Sequence, residues 1–300
     1  MIEEKLVVII IVNYNNKEDT LICLDSISKL NYSTFRIVLV DNGSEDCSAA
    51  AVQENFPDVH LIESSKNLGA AGGRNLAINY VNEKFNYRFL FFLDNDIIIE
   101  SNALAEMVKT FDYNENVGIV SPKCYVMGKP EIIKYAGGLY VNFFTGTIKD
   151  IGGGEKDSGR FNKQEFVTAC GGLCLVKKEV IEKIRCFDER FNPYGWEDVD
   201  FSIRAGESGY KILYNPGAVI YHKGGKTGRG KGIGEYESAK AKNYFYFLKK
   251  HTNFFQKFIL SLVLPFKIML FACKEIFKGD FDLIRFQLGG FFSLFKSKSI

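Results

Sequence analysis

Residues 87–96 read YRFLFFLDND, a strand-length run that is mostly apolar and ends in two aspartates. Apolar runs of this length alternate with amphipathic, helix-length segments through the first third of the chain. We predict strands at 6–12, 35–40, 59–63 and 87–93, and helices at 17–29, 44–55 and 71–81. This alternation is typical of βαβ units, so it predicts an α/β fold with a mainly parallel sheet covered on both faces. Polar residues follow the carboxyl ends of these strands, which form the ligand-binding edge of an open α/β sheet.

The middle of the chain has a different pattern. Residues 117–176 contain short alternating stretches and many glycines, which predicts β structure with hairpin strands at 134–140 and 143–148. A helix is predicted over 197–206, and two short strands should follow it and end at residue 222.

A glycine-rich and basic segment, KGGKTGRGKGIG at 223–234, precedes a helical tail that we expect to be broken at Pro265 and Gly279. Six glycines and four basic residues make this segment a candidate mobile lid. We therefore predict a catalytic domain at 1–234 and a helical, basic and apolar tail at 235–300.

The composition places the chain among soluble globular proteins, with 300 residues, 46% of them hydrophobic and 25% charged. These values exclude a disordered chain and a multi-span membrane protein. The net charge of +2 conceals a split, because residues 240–300 contain 11 Lys/Arg and only 3 Asp/Glu. An acidic body with a basic tail predicts an enzyme with a surface-seeking appendage and no nucleic-acid partner.

The spacing of the cysteines and the lengths of the apolar runs predict where in the cell the protein is located. The seven cysteines are not densely spaced and predict free thiols in the cytoplasm. The apolar run near the N-terminus is short and follows acidic residues, which favours a buried strand over a signal peptide. The apolar window at 258–273 contains Pro265 and Lys267, so we expect an interfacial helix instead of a membrane span.

Asp94 and Asp96 place two carboxylates at the mouth of a buried strand, with no basic residue next to them in sequence. Burial of such a pair is costly without a cation, and Mg²⁺ or Mn²⁺ prefers oxygen ligands of this kind. The alternative is that they cap a helix beginning near Ser101, which would explain only one of them. The pair therefore favours a metal site.

Three further motifs allow both a functional and a structural interpretation. The glycine-rich stretch NLGAAGGRNLAI at 67–78 opens a helix that could bind phosphate, or it could be a structural turn. The acidic residues of WEDVDF at 196–201 could provide a general base or favour a helix start. His222 ends a strand and could ligate a metal, although a lone histidine is more often a structural hydrogen-bonding residue.

Taken in order, these motifs resemble glycosyltransferase family 2, the inverting nucleotide-sugar-dependent enzymes with a GT-A fold. The similarity is to the bacterial rhamnosyltransferase-like branch that assembles cell-surface polysaccharides. It covers residues 6 to about 250 and rests on IVNYNN, VDNGSED, NLGAAGGRN, LDND, CGGLCLVKKEVIEKI, FDERFNPYGWEDVDFSIRAGESGY and YHKGG.

The resemblance implies a role for each matching residue. Asp198 corresponds to the catalytic aspartate that deprotonates the acceptor hydroxyl, and Asp96 and His222 to ligands of a Mg²⁺ or Mn²⁺ ion. The expected contacts with the nucleotide-sugar are made by Asn13, Tyr14, Asp41, Asn67, Gly69, Arg74, Asp94 and Asn95. The expected acceptor-side residues are Gly171, Gly172, Trp196 and Glu197.

The same resemblance suggests the substrates and the location. We expect dTDP-rhamnose or a UDP-hexose as donor and a glycan or lipid-linked glycan as acceptor. The downstream Q-x-x-R-W motif of processive synthases is missing, so we expect addition of one or a few sugars. The tail should hold the protein peripherally on the inner face of the cytoplasmic membrane or form an oligomer interface. A non-catalytic, membrane-bound binding subunit remains the alternative function.

Overall fold

A computed structural model describes residues 5–112, 115–224, 233–278 and 281–293. The strands are β1 (Val7–Asn13), β2 (Phe35–Asp41), β3 (His60–Glu63), β4 (Phe89–Asp94), β5 (Ile97–Ile99), β6 (Val117–Val126), β7 (Lys129–Ala136), β8 (Leu139–Asn142), β9 (Thr147–Asp150), β10 (Glu165–Val167), β11 (Cys174–Lys177) and β12 (Lys211–His222). The helices are α1 (Lys17–Ser28), α2 (Ser48–Asn55), α3 (Gly69–Lys84), α4 (Ala103–Thr110), α5 (Lys178–Ile184), α6 (Glu197–Glu207), α7 (Ile233–His251), α8 (Phe254–Lys278) and α9 (Phe281–Ser293).

Ten strands form one mixed sheet, in which the path β10-β12-β6-β11-β4-β1-β2-β3 carries β5 on β12 and β7 on β6. The half built from β1, β2, β3 and β4 is parallel, as the βαβ pattern predicts. Strand β11 joins β4 to β6 by antiparallel pairing on both sides. The predicted α/β fold with a mixed, Rossmann-like sheet and C-terminal helices is therefore confirmed.

The sheet separates two hydrophobic layers, and β4 supplies side chains to both. Phe89 and Phe91 lie in one layer, whereas Leu90 and Phe92 lie in the other. All four are at most 2% exposed. Burial of a side chain of this size stabilises the fold by ~1.5–3 kcal/mol, so the run in 87–96 anchors the sheet centre. Its last residue, Asp94, is thereby fixed at the carboxyl edge.

Three predicted boundaries are wrong. The hairpin strands predicted at 134–140 and 143–148 are displaced, because strand β7 ends before Gly137. Gly137 has φ +68° and packs against the ring of Tyr214. The observed hairpin is β8–β9, joined by residues 143–146. The two short strands before His222 are one strand, with an irregularity between Asn215 and Val219 that keeps both halves paired with β6. Pro265 lies inside α8 and does not end it.

The tail begins on the catalytic body and shares its core. Val199 and Ile203 of α6 form one hydrophobic cluster with Phe247 of α7 and Leu260 of α8. The tail thus packs on α6, and the domain boundary between residues 234 and 235 stays a prediction. None of the helices in the described ranges has the length and apolarity needed to cross a membrane. The candidate lid lies largely outside the described residues, of which only 223, 224, 233 and 234 belong to it.

Candidate active site

Asp94, Asp96 and His222 meet at the carboxyl edge of the sheet. Asp94 ends β4, and the pairing of β5 with β12 aligns His222 with Ile97, the residue after Asp96. His222 Nε2 lies 3.1 Å from Asp96 Oδ1 and 3.9 Å from Asp94 Oδ2. One ligand atom from each residue lies within 4.8 Å of the others. Residues far apart in sequence thus form one cluster of two carboxylates and an imidazole.

The donor set of this cluster fits a divalent cation. Asp96 is 5% exposed, and its Oδ2 accepts a 2.9 Å hydrogen bond from the Gly224 N–H. Burial alone would raise the pKa of Asp96. The hydrogen bond and charge of His222 and the hydrogen bond from the Gly224 N–H outweigh the effect of burial, so the pKa is lowered. The carboxyl group is therefore ionised at neutral pH. Carboxylate oxygens of this kind suit Mg²⁺ or Mn²⁺ and leave positions for substrate phosphates and water.

The capping alternative for the two aspartates does not hold. Helix α4 begins at Ala103, and its N-cap is Asn102, which makes no side-chain capping hydrogen bond. Asp94 instead accepts a 3.1 Å hydrogen bond from Arg74 Nη2. Asp94 thus contacts Arg74, and Asp96 contacts His222; neither carboxylate caps α4.

Asp94, Asp96 and His222 are called the metal cluster below because they could hold a cation. Arg74 links this cluster to the start of α6. Its Nη1 donates a 3.1 Å hydrogen bond to Glu197 Oε1, and its guanidinium lies 5.3 Å from the ring centre of Phe187. A Cβ at Gly172 would lie 2.5 Å from Arg74 Nη2, so glycine is required there for close packing. Burial and the charge of Asp198 raise the pKa of Glu197 to about 7, whereas Arg74 lowers it.

Asp198 lies in the first turn of α6 and is partly buried. Its Oδ1 accepts a 2.7 Å hydrogen bond from the Val199 N–H. Gly171 lies next to this carboxylate, since a Cβ there would lie 3.5 Å from Asp198 Oδ2. Burial raises the pKa of Asp198, although Arg74 opposes it. A carboxylate with a raised pKa is a better proton acceptor, which suits a general base.

A second polar cluster lies at the ends of β1 and β2. Asn13 is fully buried and donates a 2.8 Å hydrogen bond to Asp41 Oδ1. Its own Oδ1 accepts from Thr20 at 2.9 Å and from Asn95 at 2.8 Å. Asn13 therefore orients Asp41 and Asn95, and its predicted contact with the nucleotide stays a prediction. Tyr14, the next residue, is 42% exposed at the same edge.

The glycine-rich start of α3 is explained by packing. Gly69 has φ +76°, and any side chain there would collide with Asn192. The Gly69 N–H donates to Asn67 Oδ1 at 2.8 Å, and the Ala70 N–H donates to the Pro193 carbonyl at 3.1 Å. Two of the first amide groups of this helix are thus engaged by the protein, and phosphate binding by Asn67 and Gly69 stays a prediction.

The remaining residues of WEDVDF hold the tail in place. Trp196 Nε1 donates a 3.0 Å hydrogen bond to the Lys240 carbonyl of α7, and the indole stacks on Phe247. Asp200 is fully buried, forms ion pairs with Arg204 at 2.8 Å and Lys250 at 2.5 Å, and is hydrogen-bonded to His251 Nε2 at 2.8 Å. Asp200 is therefore structural, and an acceptor contact of Trp196 stays a prediction.

Lys134 and Ser44 belong to the site but are absent from the sequence prediction. Ser44 Oγ donates to Asp41 Oδ1 at 2.6 Å, and its place in VDNGSED could have indicated this. Lys134 lies on β7, where its charge interacts with those of Asp94, Asp96 and Asp150. No motif marks it, because only the folded sheet brings β7 to the cluster.

Comparison with known proteins supports the predicted resemblance. The model of glycosyl transferase family 2 matches residues 8–185. The low-salt glycan biosynthesis hexosyltransferase Agl10 of Haloferax volcanii is 29% identical over 209 residues, which are 68% of this chain and 62% of that protein. The poly-β-1,6-N-acetyl-D-glucosamine synthase of Staphylococcus epidermidis is 26% identical over 216 residues, 69% of this chain. This chain covers only 47% of that synthase.

Solved structures show the same fold. A mannosyltransferase of Pyrobaculum calidifontis, solved with GDP-Man and Mn²⁺, superposes with a TM-score of 0.60. The superposition covers 98% of this chain and 88% of that one at 17% identity. With a family match over more than half of its length, the chain belongs to glycosyl transferase family 2.

Proposed function

We propose that the protein transfers a sugar from a nucleotide-diphosphate donor to a hydroxyl group of a glycan, with inversion at the anomeric carbon. The carrying observation is that Asp94, Asp96 and His222 form a cation-compatible cluster that Arg74 and Glu197 connect to Asp198. A non-catalytic binding subunit would not require this combination of a metal cluster and a carboxylate with a raised pKa.

In the proposed mechanism, Asp41 recognises the nucleotide base, and Asn13 holds the Asp41 carboxylate in place. Asp94 faces the ribose, while Asp96 and His222 would hold Mg²⁺ or Mn²⁺ against the diphosphate. A cation bound there supplies Lewis-acid stabilisation of the charge on the departing diphosphate. Asp198 removes the proton from the acceptor hydroxyl. The oxygen of that hydroxyl attacks the anomeric carbon on the face opposite the departing diphosphate. This single displacement inverts the configuration.

We expect dTDP-rhamnose or a UDP-hexose as donor, because the sequence resembles the rhamnosyltransferase-like branch. The hexosyltransferase and polysaccharide synthase relatives support a sugar donor and a glycan product without identifying either. Transfer from a panel of dTDP-, UDP- and GDP-sugars, measured with Mg²⁺, Mn²⁺ or EDTA, tests this. No turnover with any donor, or full turnover in EDTA, would contradict the proposal.

The base assignment has its own test. Asp198→Asn should lower transfer by about 10²–10⁴-fold, the usual contribution of general-base catalysis. It should still bind the nucleotide diphosphate. Asp58→Asn, an exposed aspartate of the same chain, serves as the matched control and should retain activity. Full activity of Asp198→Asn would show that another group accepts the proton.

Cation binding can be measured without turnover. His222→Ala should weaken Mn²⁺ binding about tenfold or more, because ligands and their partners usually contribute on this scale. Isothermal titration in the absence of nucleotide gives the affinity directly. An unchanged affinity would remove His222 from the metal site.

We also propose that α8 places the protein on the cytoplasmic face of the membrane. Its exposed apolar side chains are Phe254, Phe255, Phe258, Leu262, Phe266, Met269, Leu270 and Ile276. Exposed basic residues accompany them at Lys257 and Lys274. Each basic residue near an anionic leaflet contributes ~1 kcal/mol, so the face and its charges together suit a lipid surface. A lipid-linked glycan would then meet the site at that surface.

Phe258→Ser with Leu262→Ser should reduce sedimentation with liposomes containing phosphatidylglycerol. Phe166→Ser is the matched control, because Phe166 is 56% exposed and Phe258 57% exposed. Unchanged sedimentation would contradict the membrane role. If the double variant instead dissociates an oligomer, the α8 face is an interface between copies of this chain.

A further inference from the structure

A cleft of about 450 Å³ opens next to the metal cluster, between β7 and the end of β9. Its walls include Val126, Ile133, Lys134, Lys149 and Asp150. Its floor includes Gly154, where an added Cβ would meet no atom within 4 Å. The family comparison gives this cleft no role, since the motifs of the resemblance contain none of its lining residues.

The cleft adjoins the reacting groups on one side. A side chain at Gly224 would collide with the Lys134 ammonium group, and the Gly224 N–H donates to Asp96. Lys134 therefore stands beside the metal cluster. Burial and, to a smaller extent, the charge of Asp198 raise the pKa of Asp150, which lines the cleft.

Lys134 lies near carboxylates but does not bond to one directly. It is partly buried, and its ammonium group makes no hydrogen bond or close ion pair with the residues that the structure describes. Burial lowers its pKa, while the charges of Asp96, Asp94 and Asp150 oppose this. Its three N–H donors are therefore available for charge-assisted hydrogen bonds to an anion.

Positive charge continues from Lys134 toward the tail. Lys149 lies on the same cleft, and burial together with the nearby charge of Lys149 lowers the pKa of Lys267 of α8. Lys267 Nζ donates to the Thr145 carbonyl at 3.0 Å and to Thr147 Oγ1 at 2.9 Å, so α8 is bonded to the hairpin that carries Lys149. The basic residues Lys134, Lys149 and Lys267 thus lead to α8, the helix with the exposed apolar face.

We propose that this lysine cleft is an acceptor subsite that binds a phosphate group carried by the acceptor. The inference rests on the proposed function and specifies its acceptor as a phosphate ester. Lys134 and Lys149 bind the phosphate, while Asp198 faces the acceptor hydroxyl. The phosphate can belong to a lipid-linked glycan or to a soluble polyol phosphate, and binding experiments distinguish these sources.

The test uses the full chain with its donor site filled by Mn²⁺ and the best-binding nucleotide diphosphate. Titrations with farnesyl phosphate, farnesol and glycerol phosphate measure the dissociation constants. Both phosphates should bind, and farnesol should bind at least tenfold more weakly than farnesyl phosphate, as expected for loss of a charge-assisted contact. Tighter binding of farnesyl phosphate than of glycerol phosphate assigns a lipid source, and equal binding assigns a soluble one.

Lys149→Met should weaken both phosphate probes about tenfold without changing nucleotide affinity, since one charge-assisted hydrogen bond is lost. Lys134→Met should also weaken binding of both phosphate probes, and Lys134→Arg should restore it. Lys129→Met, at the exposed start of β7, is the matched control. Failure of both phosphates to bind, or wild-type affinity in Lys149→Met, would overturn the subsite. Failure of every nucleotide diphosphate to bind with Mn²⁺ would instead overturn the proposed function.

Discussion

Replacement of Arg74 by methionine removes the cation shared by Asp94 and Glu197 and keeps a side chain of comparable length. Both hydrogen bonds are 3.1 Å long, and Glu197 is only 4% exposed. Removal of one partner of a buried ion pair costs ~3–5 kcal/mol, because the other charge stays buried. We expect a decrease of this size in the free energy of unfolding at about pH 8.5, where Glu197 is ionised in the wild type.

The pH dependence of this loss has a definite sign. The pKa of Glu197 is raised to about 7 in the folded protein, whereas an unfolded glutamate has a pKa of about 4.3. Between these values the folded state binds more protons, so stability falls as pH rises and levels off above about pH 7. Without Arg74 the folded pKa rises further and the fall continues. At ~1.4 kcal/mol per pKa unit, the interval from about pH 7 to 8.5 adds about 2 kcal/mol to the loss.

Urea denaturation of the wild type and Arg74→Met at about pH 5.5 and 8.5 measures both quantities. The double variant with Glu197→Gln should lose the additional pH dependence, because its buried group no longer ionises. Arg88→Met is the control, since Arg88 pairs with Glu179 on the surface and should change stability by less than ~0.5 kcal/mol. Equal losses at both pH values in Arg74→Met would refute the assignment of Glu197 to the Arg74 cation.

Three further outcomes are expected. Gly172→Ala should displace the Arg74 guanidinium, because its Cβ would lie 2.5 Å from Nη2, and should cost ~1–3 kcal/mol of stability together with transfer activity; wild-type denaturation and turnover would contradict this. Asp200→Asn should cost ~3–5 kcal/mol at neutral pH by leaving the Arg204 and Lys250 cations without their carboxylate. Since ion pairing lowers the pKa of Asp200 despite its burial, the deficit should vanish in acid, and a pH-independent deficit in denaturation would refute the pairing. Because burial raises the pKa of Asp198, kcat/KM should fall with decreasing pH at a value above the ~3.9 of a free aspartate, and a pH–rate profile with its acidic limb at that value would contradict the assignment.

Local pattern was sufficient to predict the parallel half of the sheet and its polar edge. The run at 87–96 has the length and apolarity of a buried strand, and Asp94 follows it directly. The same reasoning predicted that His222 ends a strand. Pairing of β5 with β12 then brings His222 to Asp96, and this register is a tertiary feature that spacing alone does not show.

The tail and the lysine cleft required the folded structure. Phe247 and Leu260 lie in the tail that the sequence predicts to bind a membrane surface, yet both pack on α6. Asp200 and His251 are 51 positions apart, and no local pattern indicates that they bond. The displaced hairpin has a similar origin, since the break at Gly137 is imposed by contact with Tyr214 of a distant strand.

The attachment of α6 to Lys250 and His251 has a consequence for biosynthesis. Chains fold progressively from the N-terminus as they are translated. Asp94 and Asp96 emerge early, but β12 must be inserted beside β6 before His222 can join them. The helix that carries Asp198 acquires its last anchor only when residue 251 has been made. A nascent chain therefore holds an incomplete site until residue 251 has been made, and the next helix to leave the ribosome is α8, which has the exposed apolar face.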